Sequence, residues 1–185
     1  MQKYSTFEHL AGRFNPDVQS RLLGNADVAY LSDTPTIGLL AEVYGWDNAV
    51  FWLKMQIASL DRYNGSTKEC DLAVIGEVAL LFARRYARVK LTEFMLFIAR
   101  FKLGIYGKFY GVFDPISLGE AFKLFLRHRE KEIAEIERTR NEPGSTWFIP
   151  PEGYTSLSWY QEVKRRAAEG DEEAMALLRP PGKRF

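Results

Sequence analysis

The segment Gly104-Ile-Tyr-Gly-Lys-Phe-Tyr-Gly-Val-Phe-Asp-Pro115 is the most informative for the fold, because it joins two apolar helical patterns. We call it the joint; it holds three glycines, four aromatic residues and one lysine. Glycine permits positive φ and close backbone approach, while aromatic rings offer flat faces for packing or stacking. The joint is therefore either a packed structural elbow or the floor of a binding site.

Helical patterns flank the joint on both sides. Before it, apolar residues at spacings of three and four predict a helix that begins at Thr92 and ends at Gly104. After it, Asp114 followed by Pro115 is typical of a helix start, because the carboxylate caps free N–H groups and proline suits the first helical position. The two helices are thus predicted to be consecutive and connected by the joint.

Other helix starts recur along the chain, and alternation of period two is nearly absent. Capping patterns occur at Ser5-Thr6-Phe7-Glu8, Thr34-Pro35 and Ser66-Thr67-Lys68-Glu69. The sequence therefore predicts an all-α protein, an irregular multi-helix bundle.

The chain is predicted to consist of a helical domain, residues 1–140, and an appendage, residues 141–185. The appendage begins with a segment rich in proline and glycine that also contains Trp147 and Phe148. Two short helices are predicted after it, at about residues 157–168 and 171–178. A flexible linker would not need these aromatic residues, so we expect the appendage to pack on the domain.

Composition favours a soluble protein of a reducing compartment. Among 185 residues there is one cysteine, Cys70, so no intramolecular disulfide can form. The N-terminus lacks the pattern of a signal peptide, and no apolar run approaches the ~20 residues that span a bilayer. We expect a cytoplasmic protein that does not associate with membranes.

Positive charge is concentrated in the middle of the chain. Residues 84–131 carry 11 Lys/Arg against 4 Asp/Glu, whereas the net charge of the whole chain is +1. A basic segment between acidic ends indicates a site for an anionic partner. The alternative is that these cations solvate helix faces and pair with the acidic ends, and the sequence leaves both interpretations open.

Candidate nucleic-acid contacts come from this basic segment. The positions proposed for contact with phosphates or bases are Arg84, Arg85, Arg88, Lys90, Arg100, Lys102, Tyr106, Lys108 and Tyr110. Cations bind phosphates, and stacking on an aromatic ring contributes ~1–3 kcal/mol per base. Two alternatives remain: the aromatic residues belong to the core, and the arginines complement the helix dipole at a helix C-terminus.

No set of residues indicates catalysis. His128 and Glu132 have a spacing that can hold a metal ion, but the cations around them oppose it. The chain has neither a phosphate-binding loop nor a dinucleotide-binding glycine motif. We therefore expect a protein that is not an enzyme and has no catalytic residue, metal or cofactor.

One resemblance bears on the setting of the protein. Its motifs are Leu91-Thr-Glu-Phe-Met-Leu-Phe97, Gly104-Ile-Tyr-Gly-Lys-Phe-Tyr-Gly111, Asp114-Pro115 and Phe125-Leu-Arg-His-Arg129. This pattern resembles small, uncharacterised proteins of Bacteroidetes phages and mobile elements, over roughly residues 50–135. The resemblance implies a mobile-element setting, in which DNA-associated roles are common, and it implies no activity.

Two functions follow as expectations. The first is a non-enzymatic accessory protein of a phage or mobile element that binds single- or double-stranded DNA during replication or DNA handling. The alternative is a helical protein–protein adaptor or assembly factor without nucleic-acid binding, which would contact its partner through Trp147, Phe148 and Trp159.

Overall fold

The computed structural model describes residues 4–63, 71–107, 113–141 and 150–178. These residues form α1 (Phe7–Arg13), a 3-10 helix (Pro16–Leu22), α2 (Ala26–Leu31), α3 (Ile37–Tyr44), α4 (Trp46–Tyr63), α5 (Leu72–Arg85), α6 (Leu91–Lys102), α7 (Pro115–Asn141), α8 (Ser156–Ala168) and α9 (Glu172–Leu178). They contain no β-strand, only an isolated bridge between Thr36 and Lys90. The predicted all-α class is confirmed.

Two helices, α1 and α3, begin at a different capping residue from the one that the sequence predicts. Thr6 rather than Ser5 caps α1, and Thr36 rather than Thr34 caps α3. The shift at α3 has a tertiary cause, because Pro35 precedes the helix and its carbonyl accepts a hydrogen bond from Leu91 N at 2.9 Å. The predicted start at residues 66–69 lies outside the described residues, within which α5 is capped by Asp71.

The joint has the expected boundaries on both sides. Helix α6 ends before Gly104, whose φ of 76° lies in the left-handed region that glycine adopts without strain. Helix α7 begins at Pro115, and Asp114 Oδ1 accepts a hydrogen bond from Ile116 N at 3.0 Å. The predicted pair of consecutive helices is confirmed.

Two compact units make up the structure, residues 1–134 and residues 135–185, and the division falls within α7. The first unit is built around α6, in which every residue from Leu91 to Ala99 is buried. A helix buried on all sides occupies the centre of a core rather than its surface. Phe94 and Phe97 of α6 pack closely with the rings of Phe82 in α5 and of Phe122 and Phe125 in α7.

The second unit contains α8 packed on α9, with Val163 and Ala174 buried. The sequence-based boundary at residue 140 and the packing of the appendage on the domain stay predictions. Among the described helices, none is both long enough and apolar enough to cross a bilayer.

Candidate functional site

The segment between α5 and α6, residues 86–90, contains Arg88 and follows Arg84 and Arg85, the last two residues of α5; the start of α3 packs against it. Ile37 N donates to Val89 O at 2.9 Å, and Gly38 N donates to Ala87 O at 2.7 Å. The free N–H groups at the start of α3 therefore find acceptors in this segment. These two hydrogen bonds fix the backbone of the segment, so its side chains project from a defined position.

Gly38 is required for this contact, since a Cβ there would lie 3.0 Å from Ala87 O and 3.1 Å from Ala87 Cβ. We expect Gly38→Ala to displace residues 86–89 and to lower the free energy of unfolding by about 1–3 kcal/mol, the usual cost of overpacking. Urea denaturation measures the change. Gly119→Ala is the matched control, because nothing lies within 4 Å of its Cβ and alanine favours a helix. Equal losses of stability in the two variants would contradict a close contact between Gly38 and Ala87.

Three of the predicted site residues, Arg84, Arg85 and Arg88, are exposed and line one depression of about 430 Å³. Arg129 of α7 lines the same depression, together with Glu130 and the 86–89 segment. We call this depression the arginine groove. Arg85 lies over the ring of Tyr86, with 5.6 Å from its guanidinium carbon to the ring centroid. The groove brings four guanidinium groups from two parts of the chain together.

Arg129 is tied to the buried Glu93, with Nη1 donating to Oε2 at 3.3 Å. Its Nε is buried and has no hydrogen-bond partner among the described residues. A buried donor without an acceptor costs about 1–3 kcal/mol. Arg129 therefore has donor capacity that the internal contacts do not use.

Burial raises the pKa of the Glu93 carboxyl above its usual range, and the N–H of Lys90 and the charge of Arg129 offset this only in part. The folded protein thus binds a proton at Glu93 more tightly than the unfolded chain does. This group contributes stability that is complete below its ordinary pKa of 4.5 and is lost as pH rises through the raised pKa.

We therefore expect the stability difference between the wild type and Glu93→Gln to favour the wild type more at low pH than at neutral pH. Urea titrations of both proteins across this pH window measure that difference. Comparison with the variant cancels the contributions of the other carboxylates. A difference that is independent of pH would contradict the raised pKa.

Two of the predicted contacts, Lys90 and Arg100, are engaged inside the protein. Lys90 Nζ donates to the carbonyl oxygens of Tyr30 and Ser32, at 2.7 and 2.8 Å. Arg100 forms a two-point ion pair with Glu132, at 2.8 Å from Nη1 to Oε1 and 2.9 Å from Nη2 to Oε2. The structure therefore assigns both cations to internal contacts rather than to an open phosphate-binding surface.

Arg100 and Glu132 also organise two tyrosines. The hydroxyl of Tyr30 donates to Glu132 Oε2 at 2.9 Å, and Arg100 Nη1 donates to the hydroxyls of Tyr30 and Tyr106 at 3.1 and 3.3 Å. Burial and the bond to Glu132 raise the pKa of Tyr30. Burial alone would lower the pKa of Arg100, but the bonds to Glu132 and Tyr106 outweigh it and raise that pKa. The network therefore holds a charged arginine beside neutral tyrosines.

Tyr106 belongs to the core. Only 7% of the residue is exposed, and its ring lies 5.9 Å from the ring of Phe125 and 5.6 Å from that of His128. Its ring is therefore packed mainly against other side chains rather than presented to solvent. Of the two interpretations of the joint, core packing therefore holds for its two described aromatic residues, Tyr106 and Phe113.

Lys102 reaches a buried amide, with Nζ donating to Gln19 Oε1 at 2.8 Å. Gln19 in turn donates to Gln56 Oε1 at 2.5 Å, and Gln56 donates to Phe14 O at 2.8 Å. Buried polar groups need such partners. Lys102 thus donates to a chain of buried polar groups that need hydrogen-bond partners, which explains its contact with Gln19.

Five sequence-based candidates remain. Lys108, Tyr110, Trp147 and Phe148 lie outside the described residues. Trp159 is half-buried and its ring contacts that of Tyr154 at 5.2 Å. Their proposed contacts with DNA or with a protein partner stay predictions.

A second depression, of about 530 Å³, lies beside the start of the joint. Its polar lining is mixed in charge, with Glu120 facing the same space as Lys123 and Arg127. Among the described residues, no group of three or more His, Cys, Asp or Glu is arranged to hold a metal ion. The arginine groove is therefore the stronger candidate for a site, since one sign of charge predominates in it.

Sequence reasoning missed Arg129, the groove residue that comes from α7. Its position beside His128 and Glu132 suggested a solvated helix face. The one available signal was the spacing of α7: Phe122, Phe125 and Arg129 follow each other at helical intervals, which places Arg129 beside the buried stripe.

Comparison with known families matches residues 70–170 to a family model described as "Family of unknown function (DUF6633)". The match spans more than half of the 185 residues. The chain belongs to the DUF6633 family. No curated protein and no solved structure gives a significant match. The matched region of this DUF6633 protein contains the whole arginine groove.

Proposed function

We propose that this DUF6633 protein is a non-enzymatic, nucleic-acid-associated protein that holds DNA phosphates in the arginine groove. The observation that carries the proposal is the convergence of Arg84, Arg85, Arg88 and Arg129 on one depression. Guanidinium groups match phosphate oxygens in geometry and bind them through paired N–H donors. Such contacts release counterions and give salt-dependent, sequence-tolerant affinity.

The shape of the groove adds support for binding rather than catalysis. Arg88 projects from a segment whose carbonyls are bonded to α3, and the other three arginines project from helices α5 and α7, so little backbone ordering is needed when a ligand binds. The nearby carboxylate of Glu93 pairs with Arg129 and accepts a hydrogen bond from Lys90 N. Nothing in this arrangement supplies a nucleophile with an adjacent base.

The setting of a phage or mobile element, and a role in replication or DNA handling, are part of the same proposal. The sequence resemblance supports them. Genomic neighbours of DUF6633 genes test them: replication or recombination genes beside most members are expected. Neighbours confined to unrelated metabolic genes would contradict the setting.

Fluorescence polarisation with labelled single- and double-stranded DNA tests the binding itself, at about 50 mM salt, where phosphate contacts are strong. We expect wild-type protein to bind, with log K falling linearly as log salt concentration rises. Replacing Arg84, Arg85 and Arg88 by Gln should flatten the slope by about 2 for single strands, since each phosphate contact contributes about 0.7.

The matched control removes three exposed cations elsewhere, Arg13, Arg21 and Lys164. It changes net charge by the same amount and should leave the slope nearly unchanged. Absence of binding by wild type at low salt, or equal slopes in the two triple variants, would reject the proposal.

The adaptor function remains the alternative. Trp159 contacts Tyr154 within its own unit, which leaves the contacts of Trp147 and Phe148 with a partner as a prediction. Light scattering of the purified chain, alone and with any co-purifying protein, tests it. A stable complex that DNA does not compete with would favour the adaptor.

A further inference from the structure

We propose that the arginine groove binds a terminal phosphate of a DNA strand, a phosphate monoester, in preference to the diesters within the strand. This inference rests on the proposed function and specifies the part of the nucleic acid that the site takes. Four observations lead to it: the volume of the groove, its charge, the contacts of Arg129 and the anchoring of the segment that carries Arg88.

The volume favours a single nucleotide over a run of backbone. Pockets for small ligands measure about 300–1,000 Å³, and the groove, at about 430 Å³, lies at the lower end of this range. A protein that tracks a strand needs an extended basic channel over several nucleotides. Two neighbouring cations, Lys90 and Arg100, do not extend the groove in this way, because they bond to internal acceptors.

Charge favours a dianion. The groove and its immediate surroundings hold the guanidiniums of Arg84, Arg85, Arg88 and Arg129 and the carboxylates of Glu93 and Glu130. Two positive charges are therefore left without a compensating carboxylate in this set. A phosphate monoester carries about −1.5 to −2 at pH 7, whereas each internal diester carries a single negative charge.

Arg129 provides the specific donor. Its Nη1 is held by Glu93 at 3.3 Å, which orients the guanidinium, and its Nε lacks an acceptor among the described residues. About 27% of the side chain is exposed to the groove and solvent. A small reorientation would let the unused donors face two phosphate oxygens at once, and this gain is larger for a monoester, which has three terminal oxygens.

The supporting segment makes this site pre-organised. Ile37 N and Gly38 N hold the carbonyls of Val89 and Ala87, so Arg88 extends from a backbone that is already fixed. Tyr86, whose ring packs on Phe122 at 4.7 Å, forms an apolar wall beneath Arg85. A bound phosphate would therefore meet fixed donors rather than a flexible loop.

The test compares labelled single strands of one sequence that carry a 5′-phosphate, a 3′-phosphate or no terminal phosphate, and a circular form of the same strand. We expect one or both phosphorylated strands to bind about tenfold more tightly than the others, the effect of one strong charge-assisted contact. The two phosphorylated arms distinguish which end is bound.

Arg129→Lys keeps the charge and removes the planar set of donors, so the ratio of the affinities for phosphorylated and unphosphorylated strands should fall to about one, whatever the change in the affinity that the strands share. Arg127→Lys on the same helix is the control, and it should retain the preference. Equal binding of all four strands would overturn this inference and leave the proposed function standing. No binding of any strand would reject both. The wild-type comparison decides the question even if Arg129→Lys does not fold.

Discussion

Phe122→Ala is expected to lower the free energy of unfolding by about 3–5 kcal/mol, the largest effect of any single substitution considered for this chain. Phe122 is fully buried, and its ring centroid lies 4.7 Å from that of Tyr86 and 4.8 Å from that of Phe97. Truncation would leave a cavity at the centre of the aromatic core and remove the support beneath Tyr86. Urea denaturation followed by circular dichroism measures the loss.

The matched control is Phe51→Ala, the same change at a residue that is 52% exposed. It should lower the free energy of unfolding by less than about 1 kcal/mol, because little apolar surface returns to water. If the two variants lose equal stability, the packing described around α6 is incorrect.

Glu132→Ala should be the second most damaging change, at about 3 kcal/mol, because it leaves Arg100 with no carboxylate partner. The side chain of Arg100 is only 13% exposed. Glu132 accepts hydrogen bonds from both terminal nitrogens of Arg100 and from the Tyr30 hydroxyl. A double-mutant cycle with Arg100→Met measures the coupling. We expect the double variant to be more stable than Glu132→Ala alone, since no unpaired charge remains.

An exposed pair of the same residue types is the control for this cycle. Arg138 and Glu135 are 63% and 61% exposed, so their coupling should not exceed about 1 kcal/mol. A coupling at Arg100 and Glu132 that is no larger than this would mean that the internal network does not stabilise the fold.

Helix boundaries near the joint were predictable because they depend on local chemistry. Asp114 and Pro115 determine where α7 begins, and Gly104 determines where α6 ends, whatever the rest of the chain does. The start of α3 was not, because the pairing of Pro35 with Leu91, far along the chain, decides it. Local capping patterns do not predict a helix start whose backbone groups are hydrogen-bonded to a segment far away in the sequence.

The candidate site was only partly predictable for a similar reason. Arg84, Arg85 and Arg88 are neighbours in sequence, so their proximity required no knowledge of the fold. Arg129 joins them only through the packing of α7, and Arg100 leaves the set because Glu132 lies beside it. Counting charges along the chain cannot distinguish a cation that faces solvent from one that is paired internally.

The most direct test of the central claim is arginine footprinting with phenylglyoxal and mass spectrometry, with and without single-stranded DNA at low salt. We expect DNA to slow the modification of Arg84, Arg85, Arg88 and Arg129. Arg13 and Arg165, outside the groove, should react at unchanged rates. Unchanged reactivity of the groove arginines, with bound DNA protecting other positions, would contradict it.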